Sequence, residues 1–202
     1  MVSRYGVGAR FYDVLSFERP VYRPARLRAI DLLDLRPGDT VLDLGCGTGL
    51  NHPLLRDRIG PAGRIIGVDA SAAMLAQARR RRAGPGRLDL VHADAADLRD
   101  AVGDQPVQVV IATYALSIVE DWRSAWSQAM DLLEAGGRAA VVDLAMPTGA
   151  GRLLSPAAGF ACFTGGVDLT RRPWTLVTDH LDRPTVETRR SGHIVIAVGT
   201  AP

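Results

Sequence analysis

Short apolar runs and helix-like segments alternate through the middle of the chain. The apolar runs have the length and composition of buried strands and cover 40–44, 64–69, 88–94, 107–113 and 138–145. Helices are predicted before and between them, over 25–35, 71–82 and 121–134. This alternation is typical of βαβ units, so we predict a doubly wound α/β fold with helices on both faces of a mostly parallel sheet.

Residues that start and stop helices support these boundaries. Ser71 and Asp121 are suitable N-caps, because their side-chain oxygens can accept hydrogen bonds from free backbone N–H groups of the first turn. The pair Gly136-Gly137 predicts the end of the helix over 121–134.

We predict one domain made of four consecutive parts. The chain has 202 residues, of which 47% are hydrophobic, and this is enough for one sizeable core. An N-terminal cap segment covers 1–36 and a ligand-binding core covers 37–145. The segment 146–184 is an insertion over the carboxyl ends of the strands, and 185–202 is an antiparallel hairpin that closes the sheet.

Composition argues against several classes of function. The formal net charge of +2 does not indicate a nucleic-acid partner. Cys46 and Cys162 lie far apart without metal-ligand spacing, so we predict neither a disulfide framework nor a metal site. We find no secretory signal and no apolar run of the roughly 18–20 residues that a membrane span needs, and we expect a cytoplasmic protein.

The stretch "VLDLGCGTGLN" (41–51) places three glycines at every second position directly after a predicted strand. A dinucleotide fingerprint would require glycine at 50, where this chain has leucine. Asp43 disfavours a phosphate near this turn and favours an ammonium group. The pattern therefore predicts an adenosine that carries a cationic tail, as S-adenosylmethionine (SAM) does.

Four motifs in this order resemble the class I SAM-dependent methyltransferases. "VLDLGCGTG" is similar to their first motif, "IIGVDASAAML" to the second, "VHADAADL" to the third and "LLEAGGRAAVVDL" to the stretch around the fifth strand. The resemblance implies a seven-stranded sheet and a SAM-dependent methyltransferase. "ARFYDVLS", "GCGTGLN" and "TYALSIVEDW" resemble the methyltransferase type 11 branch, which includes quinone-biosynthesis enzymes, and small lipid-head-group N-methyltransferases.

The resemblance also implies a set of cofactor-binding residues. Asp69 would accept hydrogen bonds from the ribose hydroxyls, because a carboxylate offers two acceptor oxygens to a vicinal diol. Asp94 would accept from the adenine amino group, and the Thr113 carbonyl would accept from the ammonium. The other implied cofactor contacts are Tyr12, Asp43, Gly45, Cys46, Gly47, Gly49, Asn51, Ala70, Met74 and Ala95.

Tyr114 and His52 are the predicted catalytic residues. Methyl transfer is a one-step displacement in which correct positioning of the acceptor supplies much of the rate, so a general base is not required. The alternative interpretations are a packed tyrosine with its hydroxyl on the backbone and a core histidine.

The acceptor is less well indicated than the cofactor. We expect N- or O-methylation of a small molecule or lipid head group that enters between the cap segment and the insertion. Arginines at 19, 23, 26 and 28 and the run 79–82 would allow peripheral contact with an anionic membrane; a solvated helix end is the alternative. A SAM-binding protein without methyl transfer and an NAD-linked oxidoreductase remain rival functions, and nothing indicates the oligomeric state.

Overall fold

The computed structural model describes residues 21–81, 84–149 and 166–202. Within these ranges the helices are α1 (Arg23–Leu32), α2 (His52–Ile59), α3 (Ala72–Arg80), α4 (Leu98–Val102), α5 (Trp122–Asp131) and α6 (Thr175–His180). The strands are β1 (Thr40–Leu44), β2 (Arg64–Asp69), β3 (Arg87–His92), β4 (Val107–Thr113), β5 (Leu133–Leu144), β6 (Asp182–Arg189) and β7 (Ile194–Thr200). A 3₁₀ turn (Ala95–Asp97) precedes α4.

The seven strands form one sheet in the order β3-β2-β1-β4-β5-β7-β6. Strands β1 to β5 pair in parallel, and β7 lies antiparallel between β5 and β6. The predicted fold class, a mostly parallel seven-stranded sheet with an antiparallel C-terminal hairpin, is therefore confirmed. Residues 1–20 of the predicted cap segment (1–36) and residues 150–165 of the predicted insertion (146–184) lie outside the described residues.

Apolar side chains cover both faces of the sheet. Along β5, Ala139 and Val141 pack on the face that carries the two tryptophans of α5, whereas Ala140 and Val142 pack on the face that carries α1. Successive residues of a strand point to opposite faces, so a continuous apolar run is what a strand covered on both sides requires. None of the described helices has the length and apolarity to cross a membrane.

Helix α2 was not predicted from the sequence. Its eight residues, "HPLLRDRI", include three charged side chains and span little more than two turns, which is too short for a helical period to stand out. Proline is tolerated here because Pro53 lies in the first turn, where a backbone N–H has no intrahelical partner.

The predicted end of the helix over 121–134 was wrong. Helix α5 ends at Asp131, and β5 begins at Leu133, before the two glycines that were expected to stop the helix. Leu133 pairs with Val107 across a register shift at the start of β4. Gly137 is needed for another reason, because a Cβ atom there would lie 2.6 Å from Cδ1 of Leu133.

The candidate site lies at the carboxyl ends of the parallel strands. The chain order reverses between β1 and β4, and ligands of open α/β sheets bind at such a switch point. The glycine turn follows β1, Asp69 ends β2, and Tyr114 follows β4. The fold thus brings three predicted site segments to one edge.

Candidate cofactor site

The three glycines of the turn after β1 have different surroundings. All have positive φ, +67° at Gly45, +55° at Gly47 and +76° at Gly49, a region that disfavours residues with a Cβ. A Cβ on Gly45 would lie 2.5 Å from Cβ of Ala115, and one on Gly49 would lie 2.6 Å from Nδ1 of His52. Among the described residues, none has an atom within 4 Å of the position that a Cβ on Gly47 would take. Gly45 and Gly49 therefore serve packing within the protein, and Gly47 is the glycine that faces open space.

Asp69 connects the glycine turn to the start of α3. Its Oδ2 accepts from the backbone N–H of Gly47 at 2.8 Å, and its Oδ1 accepts from that of Ser71 at 2.8 Å. Burial raises the pKa of Asp69, and the two N–H groups partly offset this effect. Each oxygen keeps a further lone pair, so the carboxylate can still accept from a diol at its half-buried position.

Asn51 is the centre of a buried polar cluster under the turn. It occupies the N-cap position of α2, yet its side chain makes no capping hydrogen bond. Its Nδ2 donates to Oδ1 of Asp43 at 2.7 Å and to Oγ1 of Thr113 at 3.1 Å. Its Oδ1 accepts from Nη1 of Arg26 at 2.7 Å. The side chain therefore lies between an acidic and a basic group.

Arg26 was grouped in the sequence analysis with the arginines that would contact a membrane, but the structure buries it in the polar cluster around Asn51. It lies on α1, is 6% exposed, and also donates from Nη1 to Oγ1 of Thr113. The buried Ala29, Ile30 and Leu33 follow Arg26 by three, four and seven positions. Residues at this spacing share one side of a helix, so Arg26 belongs to the apolar face of α1. An arginine on such a face is a signal that could have identified it, because buried charges are rarely left without a role.

The two predicted catalytic side chains have different surroundings. The Tyr114 hydroxyl donates to the Tyr22 carbonyl at 3.0 Å, and the two rings meet edge to face with centroids 5.0 Å apart. The Arg26 guanidinium carbon lies 5.3 Å from the Tyr114 ring centre. His52 has no exposed surface and lies beneath the turn. Their catalytic roles stay predictions.

The residues predicted to surround the adenine lie along the ends of β2 and β3. Met74 on α3 and Ala95 in the 3₁₀ turn are buried, Ala70 is half-buried, and Asp94 is exposed. The backbone N–H of Met74 donates to Oγ of Ser71 at 3.4 Å, which confirms the predicted N-cap. These positions leave the carboxylate of Asp94 accessible at this edge.

Two further predicted contacts have different outcomes. Cys46 is buried in the turn, where burial, with a contribution from the nearby Asp43, raises the pKa of its thiol. A thiol in this state is a packing group rather than a nucleophile. Tyr12 lies outside the described residues.

The described part of the chain contains no cluster of three or more acidic, histidine or cysteine side chains that could hold a metal ion.

A second buried carboxylate, not singled out from the sequence, lies at the end of β5. Asp143 accepts from the Ser117 hydroxyl at 2.6 Å, from the Ser117 N–H at 3.0 Å and from the Leu144 N–H at 2.8 Å. Burial raises its pKa to about 6, although these three donors favour the ionised form. The Ser117 carbonyl accepts from the Asp168 N–H at 3.1 Å, so this cluster also holds the segment before α6.

The strand order and this site together define a class. A mostly parallel seven-stranded sheet with an antiparallel β7, a glycine turn after β1 and an acidic residue at the end of β2 matches the class I SAM-dependent methyltransferases, and the chain belongs to that class. Residues 41–137 match the methyltransferase domain family. The 2-phytyl-1,4-naphtoquinone methyltransferase of Thermosynechococcus vestitus is 38% identical over 138 residues, which are 68% of this chain and 60% of that protein. The chain thus spans about three fifths of the length of this curated relative.

Solved structures share the fold at low sequence identity. One is a chain from a structure described as a complex between the Haloferax volcanii Trm112 methyltransferase activator and a methyltransferase, with a TM-score of 0.76, 19% identity and 98% coverage of both chains. Another is the N-methyltransferase NodS of Bradyrhizobium japonicum with S-adenosylhomocysteine (SAH), with a TM-score of 0.66 and 17% identity over 91% of this chain and 88% of that one.

Proposed function

We propose that this chain binds SAM at the carboxyl edge of β1, β2 and β4 and transfers its methyl group to nitrogen or oxygen of a small molecule or lipid head group. The observation that carries the proposal is the arrangement around the glycine turn. An acceptor suited to a diol, Asp69, binds the backbone of Gly47, and a cluster with both charge signs surrounds Asn51 at the end of the same turn.

The cluster fits the amino-acid end of SAM because that end is a zwitterion. Arg26 supplies a buried positive charge on one side of Asn51, and Asp43 supplies a buried negative charge on the other. The α-carboxylate would be favoured near the guanidinium and the α-ammonium near the carboxylate and the end of β4. Asp43 has no exposed surface, so its effect on a ligand would act through its field and through Asn51.

At the other end of the ligand, Asp69 would hold the ribose, and Met74 and Ala70 would pack beside the nucleoside. Gly47 would allow the close approach, since in the part of the chain that the structure describes no atom lies within 4 Å of where its Cβ would be. Bound SAM supplies an electrophilic methyl group on a sulfonium. The task of the protein is then to exclude water and to orient the acceptor, which can contribute about 7–11 kcal/mol to lowering the barrier.

The comparisons support a small-molecule acceptor. One relative is named for a naphthoquinone substrate, and the structural neighbour NodS is named as an N-methyltransferase. Lipid head groups belong to the same proposal, because Arg79 and Arg80 end α3 with two positive charges.

A transfer assay tests the proposal. The full chain is incubated with methyl-labelled SAM and with separate panels of quinols, small amines, phenols and vesicles containing ethanolamine lipids. We expect label in at least one panel and expect its loss in Asp69→Ala. Saturable SAM binding without transfer in any panel would favour the SAM-binding alternative.

Calorimetry separates the remaining rival. We expect saturable binding of SAM and SAH and none of NAD. Binding of NAD alone would support an oxidoreductase and overturn the proposal.

A further inference from the structure

We propose that His52 is a positioning residue for the methyl donor: it holds the Asp43 carboxylate and thereby sets the orientation of Asn51 and Arg26. This inference rests on the proposed use of SAM. It assigns to His52 a role that acts through other side chains and not through contact with the reacting atoms.

The first observation is that two glycines make room for the His52 ring. The ring has no exposed surface, although it follows directly on the turn. A Cβ on Gly49 would lie 2.6 Å from its Nδ1, and a Cβ on Gly67 would lie 3.1 Å from its Nε2. Glycine inside a strand such as β2 usually marks a close approach of another group. The space left by these two glycines therefore holds the ring in one place.

The second observation is a set of buried polar atoms around that ring. Nε2 of His52 lies 3.4 Å from Oδ2 of Asp43. Among the described residues, no hydrogen-bond partner is found for Nδ1 or Nε2 of His52 or for Oδ2 of Asp43. Buried polar atoms are nearly always paired, and the pairing of site residues often tightens only when a ligand binds. His52 is thus the group positioned to donate to the inner oxygen of Asp43.

The third observation is the direction in which Asn51 points. Its amide nitrogen faces Asp43 and its amide oxygen faces Arg26, at 2.7 Å in each case. An ionised carboxylate accepts only, so it requires the nitrogen of Asn51 on its side. If the Asn51 amide were turned around, its nitrogen would face the Arg26 guanidinium, and two hydrogen-bond donors would oppose each other. A contact series from His52 through Asp43 and Asn51 to Arg26 therefore sets the charge pattern offered to the zwitterion.

A purely apolar role for His52 predicts different behaviour. If the ring only filled space, a leucine of similar volume would serve, and any loss would affect every ligand of the site equally. If His52 acts through Asp43, its replacement affects only ligands that carry the amino-acid end.

Two ligands distinguish these roles. SAH carries the amino-acid end, and 5′-deoxy-5′-methylthioadenosine (MTA) lacks it. For His52→Leu we expect at least about tenfold weaker SAH binding by calorimetry and an MTA affinity within about twofold of wild type. For His52→Gln, whose amide can still donate, we expect SAH affinity within about threefold of wild type. The matched control His180→Leu replaces a histidine at the end of α6, whose Nδ1 lies 3.0 Å from the Leu176 carbonyl, and should change neither affinity.

Several outcomes would overturn the inference. These are equal losses of SAH and MTA affinity in His52→Leu, unchanged SAH affinity in that variant, or no recovery in His52→Gln. If His52→Leu does not fold, the wild type still gives a test, because the ¹⁵N resonances of the His52 ring should shift with SAH and stay unchanged with MTA. No shift with SAH would contradict the role. Wild-type protein that binds neither ligand would instead reject the proposed function.

Discussion

Asp143 predicts a dependence of folding stability on pH. In the folded chain burial raises its pKa from the ordinary 3.8 to about 6. The folded state therefore binds a proton more readily than the unfolded state between these values. The contribution of this group to stability is fully present below about pH 4 and is lost as the pH rises through about 6. Each pKa unit is worth about 1.4 kcal/mol, so the ionised carboxylate costs the folded state about 3 kcal/mol.

The measurement is urea unfolding at several pH values between 4 and 7.5, followed by the fluorescence of the buried Trp122 and Trp126. Asp69 contributes in the same direction, because burial also raises its pKa. We therefore compare wild type with Asp143→Asn. The stability of wild type relative to this variant should fall by up to about 3 kcal/mol from pH 4 to pH 7.

Ser117→Ala is the matched control for the cause of this effect. Its hydroxyl donates to Asp143 and favours the ionised form, so its removal should move the titration to higher pH. Protonated Asp143 can in turn donate to this hydroxyl, which allows the cluster to persist in acid. A difference between wild type and Asp143→Asn that stays constant across the whole pH range would refute the reasoning.

The remaining predictions concern the cofactor site. Asp69→Ala should weaken SAH binding at least about tenfold in calorimetry, because a hydrogen bond to a charged group contributes about 1.5–3 kcal/mol; unchanged affinity would remove Asp69 from the site. Tyr114→Phe should lower turnover more than SAM affinity in steady-state kinetics, and equal losses would make Tyr114 a cofactor contact instead. Gly49→Ala should cost about 1–3 kcal/mol of stability in urea unfolding, since its Cβ would overlap His52, whereas Gly47→Ala should mainly weaken SAH binding. The same stability loss in both glycine variants would contradict the distinction between them.

The central strands could be predicted almost to the residue. The predicted 40–44, 64–69 and 107–113 coincide with β1, β2 and β4, because a strand covered on both faces is a continuous apolar run. Helix α2 and the start of β5 could not be predicted in the same way. There the local pattern is short, and pairing with β4 determines where β5 begins.

The site was predictable only as far as a local motif could indicate it. The spacing of the glycines located the turn, but it could not show that Gly45 packs against Ala115, seventy positions later in the chain. The places of Arg26 and Asp143 in buried polar clusters were missed for the same reason. The apolar face of α1 could have indicated that Arg26 is buried, but its partner Asn51, like the partner Ser117 of Asp143, follows from tertiary packing alone.

The place of β7 in the sheet has a consequence for the order of assembly. During synthesis β5 leaves the ribosome about fifty residues before its neighbour β7, with which it pairs from Arg138↔Thr200 to Leu144↔Ile194. Until then its apolar segment is an unpaired edge, the kind of surface that recruits other chains. Such distant pairing also slows folding. The part of the sheet that contains Asp143 is therefore completed late, and competition between aggregation and the closing of this edge is expected to govern the yield of native protein.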